Sequence, residues 1–395
     1  MNVGIDKINF FVPPYFIDMV DLAHAREVDP NKFTIGIGQD QMAVNKKTQD
    51  IVTFAMHAAK DILTKEDLQA IDMVIVGTES GIDESKASAV VLHRLLGIQP
   101  FARSFEIKEA CYGATAGLQF AKAHVQANPQ SKVLVVASDI ARYGLASGGE
   151  PTQGVGAVAM LISADPAILQ LENDNLMLTQ DIYDFWRPVG HQYPMVDGHL
   201  SNAVYIDSFK QVWQAHCEKN QRTAKDYAAL GFHIPYTKMG KKALLAVFAE
   251  EDETEQKRLM ARYEESIVYS RRTGNLYTGS LYLGLISLLE NSSSLQANDR
   301  IGLFSYGSGA VAEFFSGLLV PGYEKQLAQA AHQALLDDRQ KLTIAEYEAM
   351  FNETIDIDQD QSFEDDLLYS IREIKNTIRY YNCLLYTSPS PRDTR

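Results

Sequence analysis

Two short stretches of the sequence are nearly identical: GVGAVA at residues 154–159 and GSGAVA at residues 307–312. Their offset of 153 residues almost equals the 154 residues that separate Glu79 from His233, and each of these two residues lies at the end of a short apolar segment. One string of six residues can recur by chance. A string that recurs together with the same order of neighbouring segments indicates an internal duplication.

Short apolar segments alternate with helical patterns in both parts of the chain. We predict strands at residues 72–80, 102–109, 132–140, 155–163 and 229–236, and a strand pair at 300–317. We predict helices at residues 46–64, 85–96, 111–128 and 278–290. Strands that are apolar almost throughout indicate a sheet covered on both faces, and hence an α/β fold. The duplication divides this fold into two halves, residues 1–166 and 167–382, across a pseudo-twofold axis.

The C-terminal region has a different character. Residues 341–381 predict helical additions to the second half, two amphipathic helices around an acidic loop at residues 356–366. The apolar face of the second helix comprises Leu367, Leu368, Ile371, Ile374 and Ile378. The last stretch, CLLYTSPSPRDTR at residues 383–395, breaks from this composition and looks like translated adapter sequence, so we interpret it as a non-native tail.

Composition limits the classes of partner and the compartment. The 395 residues carry a formal net charge of -15, which disfavours nucleic acid and anionic membranes as main partners. The three cysteines, Cys111, Cys217 and Cys383, have no paired or metal-binding spacing, so we expect a reducing compartment such as the cytoplasm. The sequence shows no signal peptide, and no apolar run approaches the roughly 18 residues of a membrane span.

Cys111 begins a predicted helix of small residues, EACYGATAGLQFAKAHV at residues 109–125. The helix dipole, about half a positive charge at the N-terminus, favours a thiolate there, and the free backbone amides can hold an oxyanion. The alternative is structural, because a free cysteine also behaves as a small buried apolar residue. From these residues alone, nucleophile and packing residue are equally good interpretations.

Glu79 and His233 follow corresponding strands, and Cys111 and Asn275 lie near the starts of corresponding helices. Equivalent loops of two duplicated halves meet near the axis, where ligands of open α/β sheets bind. A partly desolvated carboxylate in that position can act as a general base. Taken singly, a solvated loop glutamate and a hydrogen-bonded core histidine are the simpler interpretations, but the duplication predicts that the four side chains converge.

A basic cluster follows His233 in the segment HIPYTKMGKKALL. Lys238, Lys241 and Lys242 lie within one helical segment, and Lys238 and Lys242 share a face. Beside a candidate site in an acidic chain, the cluster fits a phosphate-binding edge, although a solvated helix face is an equally good interpretation. The glycine-rich segments match no nucleotide-binding loop, and the histidines have no metal-ligand spacing such as HExxH.

Seven motifs together resemble the bacterial 3-hydroxy-3-methylglutaryl-CoA (HMG-CoA) synthases of the thiolase superfamily. They are VGTESGIDESKA, EIKEACYGATAGL, SGGEPTQGVGAVAML, DIYDFWRP, FHIPYTKMGKKA, RRTGNLYTGSLYLGL and GLFSYGSGAVAEFF. The resemblance extends from about residue 2 to residue 381. It implies a five-layered αβαβα thiolase-like fold with duplicated halves, in a homodimer.

The resemblance also implies an activity: condensation of acetyl-CoA with acetoacetyl-CoA and water to HMG-CoA and CoA, in the mevalonate route to isoprenoids, without a metal or redox cofactor. Cys111 would carry the acetyl group as a thioester, and Glu79 would act as general acid and base at its methyl group. His233 would orient acetoacetyl-CoA with help from Asn275 and Ser308. The remaining implied contacts with the acyl group, substrate or CoA are Tyr143, Asp29, Thr152, Ser201, Lys238, Lys241 and Lys242.

Three other functions compete with this prediction. An initiating-type β-ketoacyl-acyl-carrier-protein synthase uses Cys, His and Asn on the same fold, but it decarboxylates its substrate and has no need of Glu79. A thiolase needs a second catalytic cysteine, and Cys217 in QAHCEKN is in a poor context for one. A non-catalytic binding protein would have no reason to retain Cys111, Glu79 and His233 together.

Overall fold

The computed structural model describes residues 1–249 and 252–382, so the predicted non-native tail at 383–395 lies outside the described residues. The strands are β1 (Val3–Phe11), β2 (Tyr15–Asp18), β3 (Gln41–Val44), β4 (Ile71–Gly77), β5 (Arg103–Ile107), β6 (Lys132–Ala141), β7 (Gly154–Ala164), β8 (Leu169–Leu171), β9 (Leu176–Thr179), β10 (Phe185–Trp186), β11 (Met195–Val196), β12 (Ala229–Phe232), β13 (Arg300–Gly307), β14 (Val311–Leu319), β15 (Gln340–Lys341), β16 (Gln361–Ser362), β17 (Ser370–Lys375) and β18 (Ile378–Asn382).

The α-helices are α1 (Met19–Ala25), α2 (Ile51–Lys60), α3 (Lys65–Ala70), α4 (Ser88–Leu96), α5 (Gly113–Ala127), α6 (Gly198–Asn220), α7 (Lys238–Phe248), α8 (Glu253–Ser266), α9 (Ser270–Thr273), α10 (Ser280–Asn291), α11 (Gln329–Asp337) and α12 (Ile344–Asn352). A π-helix spans Lys32–Ile37, and short 3-10 helices include Glu150–Thr152 and Tyr277–Gly279. The helix predicted from residue 46 begins only at Ile51, because the Asp50 side chain caps the backbone N–H groups of Val52 and Thr53.

The main sheet repeats one pairing pattern in two halves. In the described part of the chain its strand order is β12-β13-β14-β8-β1-β7-β6-β4-β5, and β9 also pairs with β14. In the first half β4 and β6 are parallel, while β6 pairs antiparallel with β7 and β7 with β1. In the second half β12 and β13 are parallel, while β13 pairs antiparallel with β14 and β14 with β8. This repeat agrees with a chain of two related halves. The boundary between residues 166 and 167 stays a prediction.

The two halves join where β1 and β8 pair antiparallel. Helices α2 and α4 cover the outer face of the first half, and α6 packs on β14 on the outer face of the second. Helices α5 and α10 lie between the halves, where the hydroxyl groups of Thr115 and Tyr282 are 2.7 Å apart. The chain therefore has the predicted α/β fold with five layers and two related halves.

In strand β13, side chains alternate between the two faces of the sheet and so contribute to two different cores. Ile301 and Leu303 point into the core that contains α5 and α10. Phe304 and Tyr306 point to the other face, into the core formed with α6 and α7. Because both faces of the strand are buried, its sequence is apolar almost throughout, which is the pattern that predicted the fold.

The second C-terminal helix of the sequence prediction is wrong. Helix α12 forms as expected, but residues 370–382 form the hairpin β17–β18 with a two-residue turn at Asn376 and Thr377. The register shifts between Ile371 and Glu373, which brings Ile371 and Ile374 to the same buried side. A bulged strand therefore imitates the i, i+3 spacing of an amphipathic helix.

The hairpin turn generates a stability prediction. Thr377 has φ of +64°, a backbone region that disfavours side chains with a Cβ. We expect Thr377→Gly to stabilise the hairpin by about 1 kcal/mol, seen as roughly fivefold slower hydrogen exchange of the β17 amides, with Thr377→Ala gaining less. Faster exchange in Thr377→Gly would contradict the hairpin, because glycine destabilises a helix by about 1 kcal/mol.

Candidate active site

Cys111 lies in the turn between β5 and α5, two residues before the helix begins. The turn is tight: Ala110 has φ of +39°, and the Tyr112 N–H donates to the Glu109 carbonyl at 2.8 Å. Gly307, at the end of β13 in the other half, packs directly against it. A Cβ at Gly307 would lie 2.6 Å from the Glu109 oxygen, so only glycine allows this approach. The repeated string therefore helps to position Cys111.

Asn275 is held by the equivalent contact in the opposite direction. A Cβ at Gly154, the first residue of the other repeated string, would lie 2.4 Å from the Asn275 nitrogen. The Asn275 N–H donates to the Gln153 carbonyl at 3.2 Å. Its side-chain oxygen accepts from the Tyr277 N–H at 2.8 Å and from the Ser280 hydroxyl at 2.9 Å. In each half, the repeated string makes room for a site loop of the other half.

Glu79 follows β4 and contacts Cys111. The Cys111 thiol donates to Glu79 Oε1 at 3.6 Å. The Glu79 N–H donates to Asp139 Oδ1 at 2.9 Å, at the end of β6. Burial raises the pKa of Glu79 to about 8, the negative charge of Asp139 adds to the rise, and the Arg187 guanidinium opposes it. Glu79 therefore has the pKa of a general acid and base near neutral pH.

Asp139 is a buried carboxylate that the sequence analysis did not select. One of its oxygens accepts hydrogen bonds from the hydroxyl groups of Thr78 and Ser80, both at 2.9 Å. Its other oxygen has no hydrogen-bond partner among the residues that the structure describes. Burial raises the pKa of Asp139 to about 7. An aspartate inside the apolar segment KVLVVASDI is the signal that could have identified it.

The expected stabilisation of a Cys111 thiolate by the helix dipole is wrong. Burial raises the pKa of the Cys111 thiol well above its usual value, and the negative charges of Glu79 and Asp139 raise it further. The dipole of α5 acts over one turn and is weaker than desolvation combined with two nearby carboxylates. The free protein therefore holds Cys111 as a thiol that donates to Glu79.

His233 follows β12 and is fully buried. Its backbone N–H donates to the Phe304 carbonyl at 2.7 Å, and its backbone carbonyl accepts from the Tyr205 hydroxyl at 2.6 Å. Burial lowers the pKa of His233 to about 3, so the imidazole is neutral. Within the described residues, Nδ1 of the ring has no hydrogen-bond partner. The main chain at His233 is therefore held on both sides, while ring nitrogen Nδ1 has no partner among the described residues.

One cavity of about 590 Å³ collects most of the predicted site residues. Its lining includes Cys111, Tyr143, Thr152, Ser201, His233, Asn275 and Ser308. Glu79 instead lines two neighbouring cavities of about 380 and 480 Å³, while its carboxylate reaches Cys111. The main cavity is thus built from both halves, as the duplication predicts.

The three lysines lie on α7 beside this cavity rather than in its lining. The Lys242 ammonium donates to the Tyr236 hydroxyl at 2.9 Å, and Tyr236 lines the cavity. Lys238 is the half-buried first residue of α7, and the next residue also lines the cavity. Lys241 pairs with Glu264 at 3.2 Å and is less available to a ligand.

Asp29, the last of the predicted site residues, does not line the three cavities. Its side chain is exposed and accepts from the Asn31 N–H at 3.0 Å, just before the π-helix. The π-helix packs against the start of α7. Asp29 is therefore placed on the surface near the lysine helix, outside the described lining of the cavities.

Two further charged residues near the site come from the motif DIYDFWRP. Arg187 donates to the backbone carbonyl of Glu79, and it belongs to the second half. Asp184 is buried and accepts from the Tyr306 hydroxyl at 2.8 Å and from the Gly309 N–H at 2.9 Å. Neither residue has a counterpart in the repeat, so the duplication does not predict their place near the site.

Residues 1–249 and 252–382 contain neither a candidate metal centre nor a candidate membrane-spanning helix. No group of three or more His, Cys, Asp and Glu side chains is arranged to hold a metal ion. No helix in the same ranges has both the length and the hydrophobicity needed to cross a bilayer.

The site combines a thiol, a carboxylate of raised pKa and a neutral imidazole at the junction of two related halves. This combination defines an acyl-transfer enzyme with a thiolase-like fold. Residues 1–167 match the family model for the N-terminal part of hydroxymethylglutaryl-coenzyme A synthase, and residues 175–263 and 253–381 match the model for its C-terminal part. The chain belongs to the hydroxymethylglutaryl-CoA synthase family.

Individual relatives agree with this assignment. A hydroxymethylglutaryl-CoA synthase of Enterococcus faecalis is 71% identical over 381 residues, which are 96% of this chain and 100% of the relative. A crystal structure of an HMG-CoA synthase in complex with CoA is 46% identical, with a TM-score of 0.94 over 97% of this chain and 100% of that chain. The structure of MvaS in complex with 3-hydroxy-3-methylglutaryl coenzyme A is 35% identical, with a TM-score of 0.87 over 96% and 98% of the two chains.

The pairing of Cys111 with Glu79 predicts how alkylation of the thiol depends on pH. Below about pH 8 Glu79 is protonated, so Glu79→Gln leaves the rate of Cys111 modification by iodoacetamide nearly unchanged. Above pH 8 Glu79 becomes charged and opposes the thiolate, so the variant reacts faster, by about tenfold at pH 9.

Mass spectrometry of the Cys111 peptide measures this rate. Cys217, whose pKa burial raises to about 12, is the internal control and should react equally slowly in both proteins. Identical Cys111 rates in both proteins across the whole pH range would show that the two groups are not coupled.

Proposed function

We propose that this chain is an HMG-CoA synthase that condenses acetyl-CoA with acetoacetyl-CoA and water to give HMG-CoA and CoA, through an acetyl thioester on Cys111. The observation that carries the proposal is the 3.6 Å contact between the Cys111 thiol and the Glu79 carboxylate beside a cavity that also holds His233. Membership of the family supports the substrates.

The first step is transfer of the acetyl group. The Cys111 sulfur attacks the thioester carbon of acetyl-CoA, the bond from that carbon to the CoA sulfur breaks, and CoA leaves as a thiol with the proton that Cys111 gives up. The backbone N–H groups of Cys111 and Ser308 donate to no acceptor in the described part of the chain. They are therefore free to hold the oxyanion of the tetrahedral intermediate.

The second step forms the carbon–carbon bond. The ionised Glu79 removes a proton from the methyl group of the acetyl thioester, and the resulting enolate attacks the ketone carbon of acetoacetyl-CoA. The neutral imidazole of His233 can donate a hydrogen bond to the ketone oxygen without carrying charge. Glu79 then returns its proton to the new alkoxide, so the same group serves as base and acid.

The third step is hydrolysis. Water attacks the thioester carbon on Cys111, and the carbon–sulfur bond breaks. One proton of the water restores the thiol, the other goes to solvent, and the product leaves with a free carboxylate. The three steps balance in atoms and charge without a metal or redox cofactor. The substrates are small-molecule CoA thioesters, and Lys238 and Lys242 beside the cavity fit the phosphates of CoA.

The biological setting belongs to the same proposal: a cytoplasmic enzyme of the mevalonate route, acting as a homodimer. Strand β5 is an edge of the main sheet in the described chain, and edges of this kind are usually covered. Phe101 and Phe120 are 91% and 60% exposed, on the segment before β5 and on the helix after it. A second copy of the chain fits this apolar edge. The initiating β-ketoacyl synthase alternative is not favoured, because it leaves Glu79 without a role.

The first quantity to measure is the amount of acetyl group attached to Cys111. Incubation with acetyl-CoA alone should add the mass of one acetyl group to the peptide that contains Cys111. Cys111→Ser should carry no acetyl group, because an alcohol is a far weaker nucleophile than a thiol at this half-buried position, and turnover should be lost. Cys217→Ser is the matched control and should acetylate as the unchanged protein does. Full turnover by Cys111→Ser would contradict the proposal.

Glu79→Ala separates acetylation from condensation. We expect the variant to form the acetyl thioester but to condense about 10²- to 10⁴-fold more slowly, the usual contribution of a general acid and base. In the unchanged protein the condensation rate should rise with pH through about 8, because the base must be ionised.

Formation of HMG-CoA after acetoacetyl-CoA is added to the acetylated enzyme measures this rate. Asp181→Ala removes an exposed carboxylate from the lining of a cavity that Glu79 also lines, and it should condense normally. If Glu79→Ala lost acetylation first, Glu79 would act in a different step.

A further inference from the structure

Arg187 lies at the boundary between the two cavities that Glu79 lines. These cavities, of about 380 and 480 Å³, share three lining residues among those that the structure describes: Glu79, Phe185 and Arg187. Cys111 lines the main cavity of about 590 Å³, which Arg187 does not line. Arg187 is therefore placed to act on Glu79 rather than on the thiol or on a substrate in the main cavity.

The contact between Arg187 and Glu79 joins the two halves of the chain. The Arg187 guanidinium, from the second half, donates a hydrogen bond to the backbone carbonyl of Glu79. The Glu79 N–H donates to Asp139 of the first half at 2.9 Å. The main chain of Glu79 is thus held at its N–H by one half and at its carbonyl by the other.

The hydrogen bond of Arg187 differs from those of several other arginines in the chain. Arg26, Arg222 and Arg300 each form an ion pair with a carboxylate, at 2.8, 2.5 and 2.6 Å. Arg187 donates to a neutral carbonyl instead, so the group that it bonds does not cancel its positive charge. That charge therefore acts on the nearby carboxylate of Glu79.

The charged groups that face Glu79 come from several elements. Asp139 at the end of β6 and Glu109 before α5 carry negative charges that oppose ionisation of Glu79. The Cys111 thiol favours ionisation through its hydrogen bond, and Arg187 favours it through its charge. Arg187 is therefore the cation that offsets the two carboxylates.

Other titratable groups near Glu79 do not replace this charge. Burial raises the pKa of Tyr143 and of Tyr277, so both phenols stay neutral. The guanidinium groups of Arg142 and Arg379 donate to carbonyls elsewhere, those of Phe351 and Ile82. The further charged or phenolic residues that line the two cavities are Lys47, Asp50, Lys108, Asp181, Tyr193 and Glu353.

We propose that Arg187 is a positioning residue for the condensation step: it holds the main chain of Glu79 and supplies the positive charge that favours the ionised carboxylate. The inference rests on the proposed function, in which ionised Glu79 removes a proton from the acetyl thioester on Cys111. An opposite charge nearby shifts the midpoint of a carboxyl group by about one to three pH units. Because Arg187 is exposed, solvent screens its charge, and we expect an effect at the low end of this range.

The test is the pH dependence of condensation, measured as HMG-CoA formation after acetoacetyl-CoA is added to the acetylated enzyme. Arg187→Met keeps an unbranched side chain but removes the charge and the donor, so Glu79 ionises at higher pH. The midpoint of the rate should rise by about one pH unit from its value of about 8, and below pH 8 the rate should be about tenfold lower. Arg187→Lys keeps the charge and should restore most of the shift.

Salt gives a second measurement on the unchanged protein. High salt screens the exposed charge of Arg187 more than that of the buried Asp139. The midpoint should therefore move upward, toward that of Arg187→Met, as the salt concentration rises.

Lys108→Met is the matched control. Lys108 is exposed and lines the cavity of about 480 Å³, and within the described residues no hydrogen bond joins it to Glu79. Its midpoint should equal that of the unchanged protein. Acetylation of Cys111 by acetyl-CoA should proceed in all three variants at the rate of the unchanged protein, because Arg187 acts on the later step.

Four results would overturn the inference: an unchanged midpoint in Arg187→Met, no recovery in Arg187→Lys, an equal shift in Lys108→Met, or a midpoint that high salt leaves in place. Loss of acetylation in the Arg187 variants would also overturn it, since Arg187 would then act in an earlier step. Failure of acetyl-CoA to label the unchanged protein would instead overturn the proposed function, so the two failures are distinguishable.

Discussion

The site depends on a thiol and a carboxylate that are held 3.6 Å apart in a half-buried position. Two negative charges at that distance in a desolvated site would repel each other strongly, so the pair favours states with a single charge. The buried Asp139 behind Glu79 reinforces this, because it adds a third group that competes for protons. Burial is the main cause of the raised pKa of both Cys111 and Glu79, and Asp139 raises both further, while the hydrogen bond from the Cys111 thiol partly lowers the pKa of Glu79.

The duplication is what allows such a pair to be built. Each half contributes a strand end and a helix start, and the glycines of the repeated string bring the loops of opposite halves into backbone contact. His233 and Asn275 come from the second half, Cys111 and Glu79 from the first. A cavity that lies between two packed halves excludes water on most sides, which strengthens every hydrogen bond and charge inside it. The energy needed to bury ionisable groups is supplied by the two large apolar cores around them.

Much of the fold was predictable from the sequence, because strands buried on both faces give an unmistakable apolar pattern. The convergence of Cys111, His233 and Asn275 followed from the repeat, and the family from the motifs. The hairpin at residues 370–382 was not predictable, since a bulge makes Ile371 and Ile374 resemble a helical face. The raised pKa of Cys111 was also missed, because the sequence indicates a helix start but not the nearby Asp139. Asp184, Phe185 and Arg187 lie outside the repeat, so nothing in their spacing marked them.

The central claim is that Glu79 removes a proton from an acetyl group carried by Cys111, and isotope exchange measures this directly. Enzyme acetylated with methyl-deuterated acetyl-CoA, without the second substrate, should lose deuterium from the thioester to solvent. The account predicts that this loss accelerates as the pH rises through about 8 and disappears in Glu79→Gln, although that variant still carries the acetyl group. Exchange at the same rate in the variant, or complete retention of deuterium in an enzyme that condenses normally, would contradict it.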